Sequence, residues 1–235
     1  MLQQFCRRGR IDALLHDGTD DAELARLLDL LHLDASQDEQ THPRPAPTST
    51  QIAEMLRDAD DLSASEYGLL LAHLRKDGQP WRDRTAYPHP LAAAEFIVPS
   101  AAVVHSECNF FGRTFSCARS HDGNSAIEFY NYERTTSYTG VIEALWDIPL
   151  RGVVRSFALV RPHKPLPHHE ELKGPFHARH RFRVRLVAAD PSEELIVIEH
   201  AQIIAHAVVY PRPAGTYGIN HKILAVCTAL NRGRR

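Results

Sequence analysis

The stretch Arg179-His180-Arg181-Phe182-Arg183-Val184-Arg185-Leu186 alternates charged and apolar side chains without a break. Successive side chains of an extended chain point to opposite faces. A strand here therefore sets four arginines on one side and His180, Phe182, Val184 and Leu186 on the other. Neighbouring arginines on that side stand about 6.6 Å apart, at about 3.3 Å of rise per residue. Such a row suits a polyanion, because guanidinium groups take phosphate bidentately. The alternative is a solvated outer face neutralised by carboxylates. Glu193, Glu194, Glu199 and the acidic N-terminal half are the available acids.

Outward from this stretch further strand-like segments follow. Ser125–Asn131, Thr139–Ile148, Val153–Arg161, Leu195–Glu199, Ile203–Tyr210 and Ile223–Cys227 are short apolar, β-branched runs broken by Gly, Pro, Asn and Asp. From about Val103 onward the spacing predicts a β-rich domain over residues 103–230, a barrel or a sandwich. Upstream the period changes to that of helices. Ser63 with Glu66 three residues on forms a capping box for a helix carrying Tyr67, Leu70, Leu71 and Leu74, ending before Gly78. Thr50 with Glu54 predicts a helix start for a partner helix through Leu56 and Ala59, so residues 51–78 read as a helical pair. Pro80, Pro88, Pro90 and Pro99 mark residues 79–102 as a connector, and Pro43, Pro45 and Pro47 mark 36–50 as a linker. In segment 1–35, Leu24, Leu27, Leu28 and Leu31 fall at helical spacing behind Asp20, Asp21 and Glu23. Residues 231–235 form a basic tail. The fold class expected is α+β, with N-terminal helices followed by a β-rich barrel or sandwich.

The formal charge of −2 conceals an asymmetry. Residues 1–150 hold 13 Lys and Arg against 23 Asp and Glu; residues 151–235 hold 14 against 6. Either the two halves attract each other or the basic half meets an acidic partner. Eight of the 15 histidines also follow residue 150. No apolar run reaches the roughly 18 residues a membrane span needs. Met1–Arg10 has arginines but no apolar stretch after them, unlike a secretory signal. An intracellular protein, nuclear or cytoplasmic, is expected. Its four cysteines, Cys6, Cys108, Cys117 and Cys227, read as reduced thiols.

The loop Pro211-Arg212-Pro213-Ala214-Gly215-Thr216-Tyr217-Gly218 is a second candidate surface. Its prolines stiffen it and its glycines permit positive φ, so Arg212 and Tyr217 offer a cation and a stacking ring to a partner. The plainer alternative is a connector with Tyr217 folded onto the core. His105-x2-Cys108 and Cys117-x3-His121 supply the ligand types of tetrahedral zinc, at a spacing unlike a standard finger. His168-His169-Glu170-Glu171 follows two prolines and reads as a solvent-facing turn or helix start. Cys227, His200, His206 and Asp190 are raw materials for nucleophilic catalysis, but no G-x-S-x-G elbow accompanies them. Phosphate-binding glycine loops are absent as well. The residues assign no catalytic group, no cofactor and no metal.

From about Ser63 onward the chain resembles a module of mushroom-forming fungi that occurs in many copies and often near transposable elements. Gly123-Asn124-Ser125-Ala126-Ile127-Glu128-Phe129-Tyr130, Leu159-Val160-Arg161-Pro162-His163, Tyr210–Gly218 and Ala229–Arg235 carry the likeness. That family implies an origin and no established activity. In pattern, Phe157–Pro162 and Glu194–Val209 also resemble bromo-adjacent homology (BAH) domains, β-rich chromatin-binding modules. Together these readings point to a non-enzymatic module presenting Arg179, Arg181, Arg183 and Arg185, with Arg212 and Tyr217, to nucleic acid or an acidic chromatin surface. The alternatives are a scaffold whose basic face is covered internally, and a Cys/His hydrolase or zinc protein.

Overall fold

The computed structural model describes residues 49–85, 96–110, 112–176 and 184–228. All lie in the compact unit that spans Ala46–Arg235. The predicted helix in segment 1–35, most of the linker, the basic tail and Arg179, Arg181 and Arg183 lie outside the described residues.

Helix α1 (Ser49–Met55) contains Thr50 as its second residue rather than as its cap. After a 3-10 turn, Ala59 is already extended, because Asp60 and Asp61 pair with β2 as the two-residue strand β1. Helix α2 (Ala64–Leu74) begins on the expected box. The Glu66 amide donates to Ser63 Oγ at 3.3 Å, and the Ser63 amide donates to Glu66 Oε2 at 2.9 Å. It stops in a 3-10 turn closed by Gly78 in the left-handed region, φ 75°.

Eleven strands follow in chain order among the described residues: β1, then β2 (Ala101–His105), β3 (Glu107–Phe110), β4 (Arg113–Ser116), β5 (Ala126–Tyr130), β6 (Ser137–Leu150), β7 (Val153–Pro165), β8 (Val184–Pro191), β9 (Ile196–Glu199), β10 (Ile203–Arg212) and β11 (Ile223–Thr228). A short helix, α3 (His168–Glu171), lies between β7 and β8. The antiparallel neighbours run β5–β10–β11–β8–β7, and β7 pairs with β6, which pairs back with β5. Six strands thus close into a barrel. The chain is β-rich, and of the two expected architectures it adopts the barrel.

The β6–β7 hairpin turns on Arg151 and Gly152, both at positive φ, which matches the twist of its long arms. A register shift between Ile142 and Ala144 bulges out Glu143. Beyond this bulge β6 leaves the barrel and pairs with β2, while the matching part of β7 pairs with β9. Helix α2 covers one face of this extension. Leu70, Leu74, Trp81, Trp146, Ile148, Phe157 and Leu159 form that core. The hairpin β3–β4 covers the other face, where Phe115 and Cys117 pack with Phe129, Ile142, Leu145 and Val160. Ile142 and Leu145 share a face although three residues apart, which only the bulge allows. No helix among the described residues is long and apolar enough to cross a membrane.

Candidate nucleic-acid interface at one end of the barrel

Arg185 is the second residue of β8, and β8 has β7 and β11 as neighbours. Yet its guanidinium donates to the carbonyl and hydroxyl of Ser137 on β6, and lies 3.4 Å from Glu128 Oε1 on β5. Strands β5 and β6 are not adjacent to β8, so Arg185 reaches across the barrel interior. Alternation accounts for this. Arg185 pairs with Val226, and Val187, Val226, Ala207 and Ala126 from four strands meet in one interior cluster. The opposite side of β8, with Val184 and Leu186, packs against Leu166, Phe176, Ile219 and Ile223.

Glu128 is the acid at the centre of this contact. Ser137 Oγ donates to it at 2.9 Å and Thr228 Oγ1 donates to its other oxygen. Its side chain is 6% exposed, while that of Arg185 is 41% exposed. The carboxylate is therefore buried just inside the barrel, and the arginine plugs its rim. Deeper in, His163 Nδ1 lies 2.9 Å from Thr139 Oγ1. Burial pushes its pKa down to about 4, so this imidazole is neutral in the folded protein.

The rim is defined by strand termini. Ser137 opens β6, Tyr130 ends β5 directly opposite it, Arg185 sits at the start of β8, and Thr228 ends β11. The turn joining β5 to β6 carries Arg134, at φ 55°. Tyr130, Tyr132 and Tyr138, in or beside this turn, are 39%, 42% and 47% exposed. Arg183 is one peptide bond from Val184, and the Arg232–Arg235 tail follows four residues after Thr228. Arg181 lies three residues from Val184, a covalent reach of at most about 11 Å.

Arg212 and Tyr217 are elsewhere. Arg212 ends β10 opposite Ile223, the first residue of β11, and so stands at the far end of the barrel. Its guanidinium lies 4.6 Å from the Tyr210 ring centroid. Tyr217, at φ 57° between Gly215 and Gly218, meets Phe176 edge-on at 6.1 Å and joins the core cluster beneath the loop. Of the described candidates, Arg185 stands opposite Val226 and Arg212 opposite Ile223, three residues apart along β11 and toward opposite ends of it.

The remaining chemistry-bearing residues are spent locally. The segment between His105 and His121 is the hairpin β3–β4, with Cys108 and Cys117 packed in its core. Burial, with the negative charges of Asp147 and Glu107, pushes the Cys108 thiol up to about 12. His105 Nε2 lies 3.0 Å from Asp147 Oδ2, and Ser156 Oγ donates to the other oxygen of the same carboxylate. Asp147 stands between serine and histidine, so the histidine cannot serve as the serine's base. Cys227 Sγ donates to Thr228 O, and His206 stacks on Phe115 at 4.2 Å. Among the described residues no three His, Cys, Asp or Glu gather as a metal site would require.

No family model, curated protein or solved structure matches the chain. Its chemistry is therefore read from its own residues. Sequence reading missed the Glu128–Ser137–Thr228 constellation. Glu128 lies in a strand of otherwise apolar or aromatic residues, Ala126–Tyr130, and a lone acid in such a run is the signal that was available.

Proposed function

We propose that this protein is a non-enzymatic binding module whose basic barrel end takes an anionic polymer, with nucleic acid the favoured partner and an acidic chromatin surface of the same chemistry. One observation carries the reading: β8 begins and β11 ends at the same rim, so the arginine row and the arginine tail join the barrel together, beside Arg185, Arg134 and three exposed tyrosines. Cations that neutralise phosphates beside aromatic rings that stack on bases are the elements of single-strand binding. In this reading Arg185 is an anchor. Its bonds to Glu128 and Ser137 fix the start of β8, and the arginines before it do the binding. A likeness to BAH modules, a transposon-linked origin and a nuclear setting belong to the same proposal.

The Arg185–Glu128 contact itself favours a second reading, a protein-interaction scaffold whose basic groups are neutralised from within. Arg155, paired with Asp77 and Glu199, and Arg161, paired with Glu143, follow the same habit. Fluorescence anisotropy of a labelled 20-nucleotide single strand at low salt separates the two. The binding-module reading expects saturable binding, and the scaffold reading expects none.

A further inference from the structure

A groove of about 380 Å³ opens between the start of α2 and the sheet extension. It is independent of the basic rim: Trp146 behind its floor is nine residues from Ser137 along β6, about 30 Å of strand. Partly buried Leu62, Val104 and Leu195 form an apolar floor, backed by the buried Trp146 and Leu159. Asp60, Asp61, Glu66 and Glu143 stand around it, and among the described residues of the lining only Arg119 and Arg161 are cations.

The charges are not balanced. Arg161 is committed, donating to Glu143 Oε1 at 2.8 Å and to Ser192 O at 2.8 Å. Glu66 caps α2, where its Oε2 accepts from the Ser63 amide and hydroxyl. Asp61 accepts only a hydroxyl among the described residues, from Ser100 at 3.2 Å, although Arg84 reaches that same hydroxyl. The Asp60 carboxylate makes no hydrogen bond or ion pair to another described residue. Arg119 is thus left facing three carboxylates. An apolar floor inside a negative rim is complementary to a side chain that is apolar along its stem and cationic at its head.

We propose that this groove docks a lysine- or arginine-bearing segment of a partner protein, with the stem on Leu62, Val104 and Leu195 and the head among Asp60, Asp61 and Glu66. The partner is extended at this point, because the groove is shallow and lies along a sheet edge that ends in the two-residue strand β1.

The test is a two-dimensional amide NMR titration of the full chain with a capped six-residue peptide alternating alanine and lysine. A methionine-for-lysine version of the peptide is the control. Saturable shifts at Leu62, Val104 and Leu195 are expected with the lysine peptide and not with the control. Asp60→Asn with Asp61→Asn weakens binding about tenfold, from two exposed ion pairs. Glu66→Gln, which keeps the helix cap, weakens it about threefold. Equal binding of the methionine peptide, shifts that never saturate, or affinity unchanged in both variants overturns the proposal. These outcomes are independent of whether the rim binds nucleic acid.

Discussion

The burial difference between Glu128 and Arg185 makes a sharp prediction. Removing the arginine leaves a carboxylate that is 6% exposed without its cation, whereas removing the carboxylate's charge leaves an arginine that is 41% exposed and can be hydrated. Losing one partner of a fully buried pair costs about 3–5 kcal/mol. Here the Ser137 and Thr228 hydroxyls still solvate Glu128, so Arg185→Met should cost about 2–3 kcal/mol. Glu128→Gln keeps an acceptor for one hydroxyl and loses a partly screened pair, about 1 kcal/mol. The double variant should be more stable than Arg185→Met alone by about 1 kcal/mol, because the stranded charge is gone. Urea unfolding at constant m-value measures all three, and about 2–3 kcal/mol corresponds to roughly 4–12 °C in Tm. If Arg185→Met proves no more costly than Glu128→Gln, the arginine does not neutralise a buried acid and the description of the rim fails.

Other predictions concern buried groups elsewhere in the barrel and its extension. Burial holds His73 and His163 at pKa values of about 4, below the unfolded value near 6.5, so the unfolded chain binds protons first as pH falls. Their contribution to stability is complete above about pH 7 and drains away between about 6.5 and 4, by at most about 3 kcal/mol per histidine. Chemical unfolding at pH 7.5 and 5 checks it, and His73→Leu, placed between Phe157 and Tyr132, should flatten the fall. At Gly140, opposite Pro162 on β7, an added Cβ would stand 2.6 Å from Arg161 O and 2.8 Å from Val160 Cγ1. Gly140→Ala should therefore destabilise by about 1–3 kcal/mol, read in the same urea assay.

The strands were legible because β-branched, apolar runs such as Ile203–Tyr210 and Ile223–Cys227 are bounded by Gly, Pro, Asn and Asp. The start of α2 was legible because its box is local, Ser63 and Glu66 being three residues apart. The hairpin β3–β4 was not, since strands of four residues around Gly112 give too short a pattern to separate from a ligand spacing. The direction of Arg185 was out of reach for another reason. Alternation says which residues share a face, and only closure of the barrel makes that face an interior. Its partners Ser137 and Glu128 lie 48 and 57 residues away, and Thr228 bonds Glu128 from 100 residues away. The acidic groove likewise joins β1, α2 and β6, which no local spacing relates.

Because Arg185 supports the barrel, the binding claim is tested on the arginines beyond it. The decisive measurement is the salt dependence of single-strand affinity for the wild type and for Arg179→Ser, Arg181→Ser, Arg183→Ser together, in protein shown to unfold at the wild-type midpoint. A phosphate-binding row predicts that the log–log slope of the triple variant is shallower by about 2, some 0.7 for each phosphate no longer neutralised. Identical slopes, or a wild type that fails to bind at low salt, would contradict it.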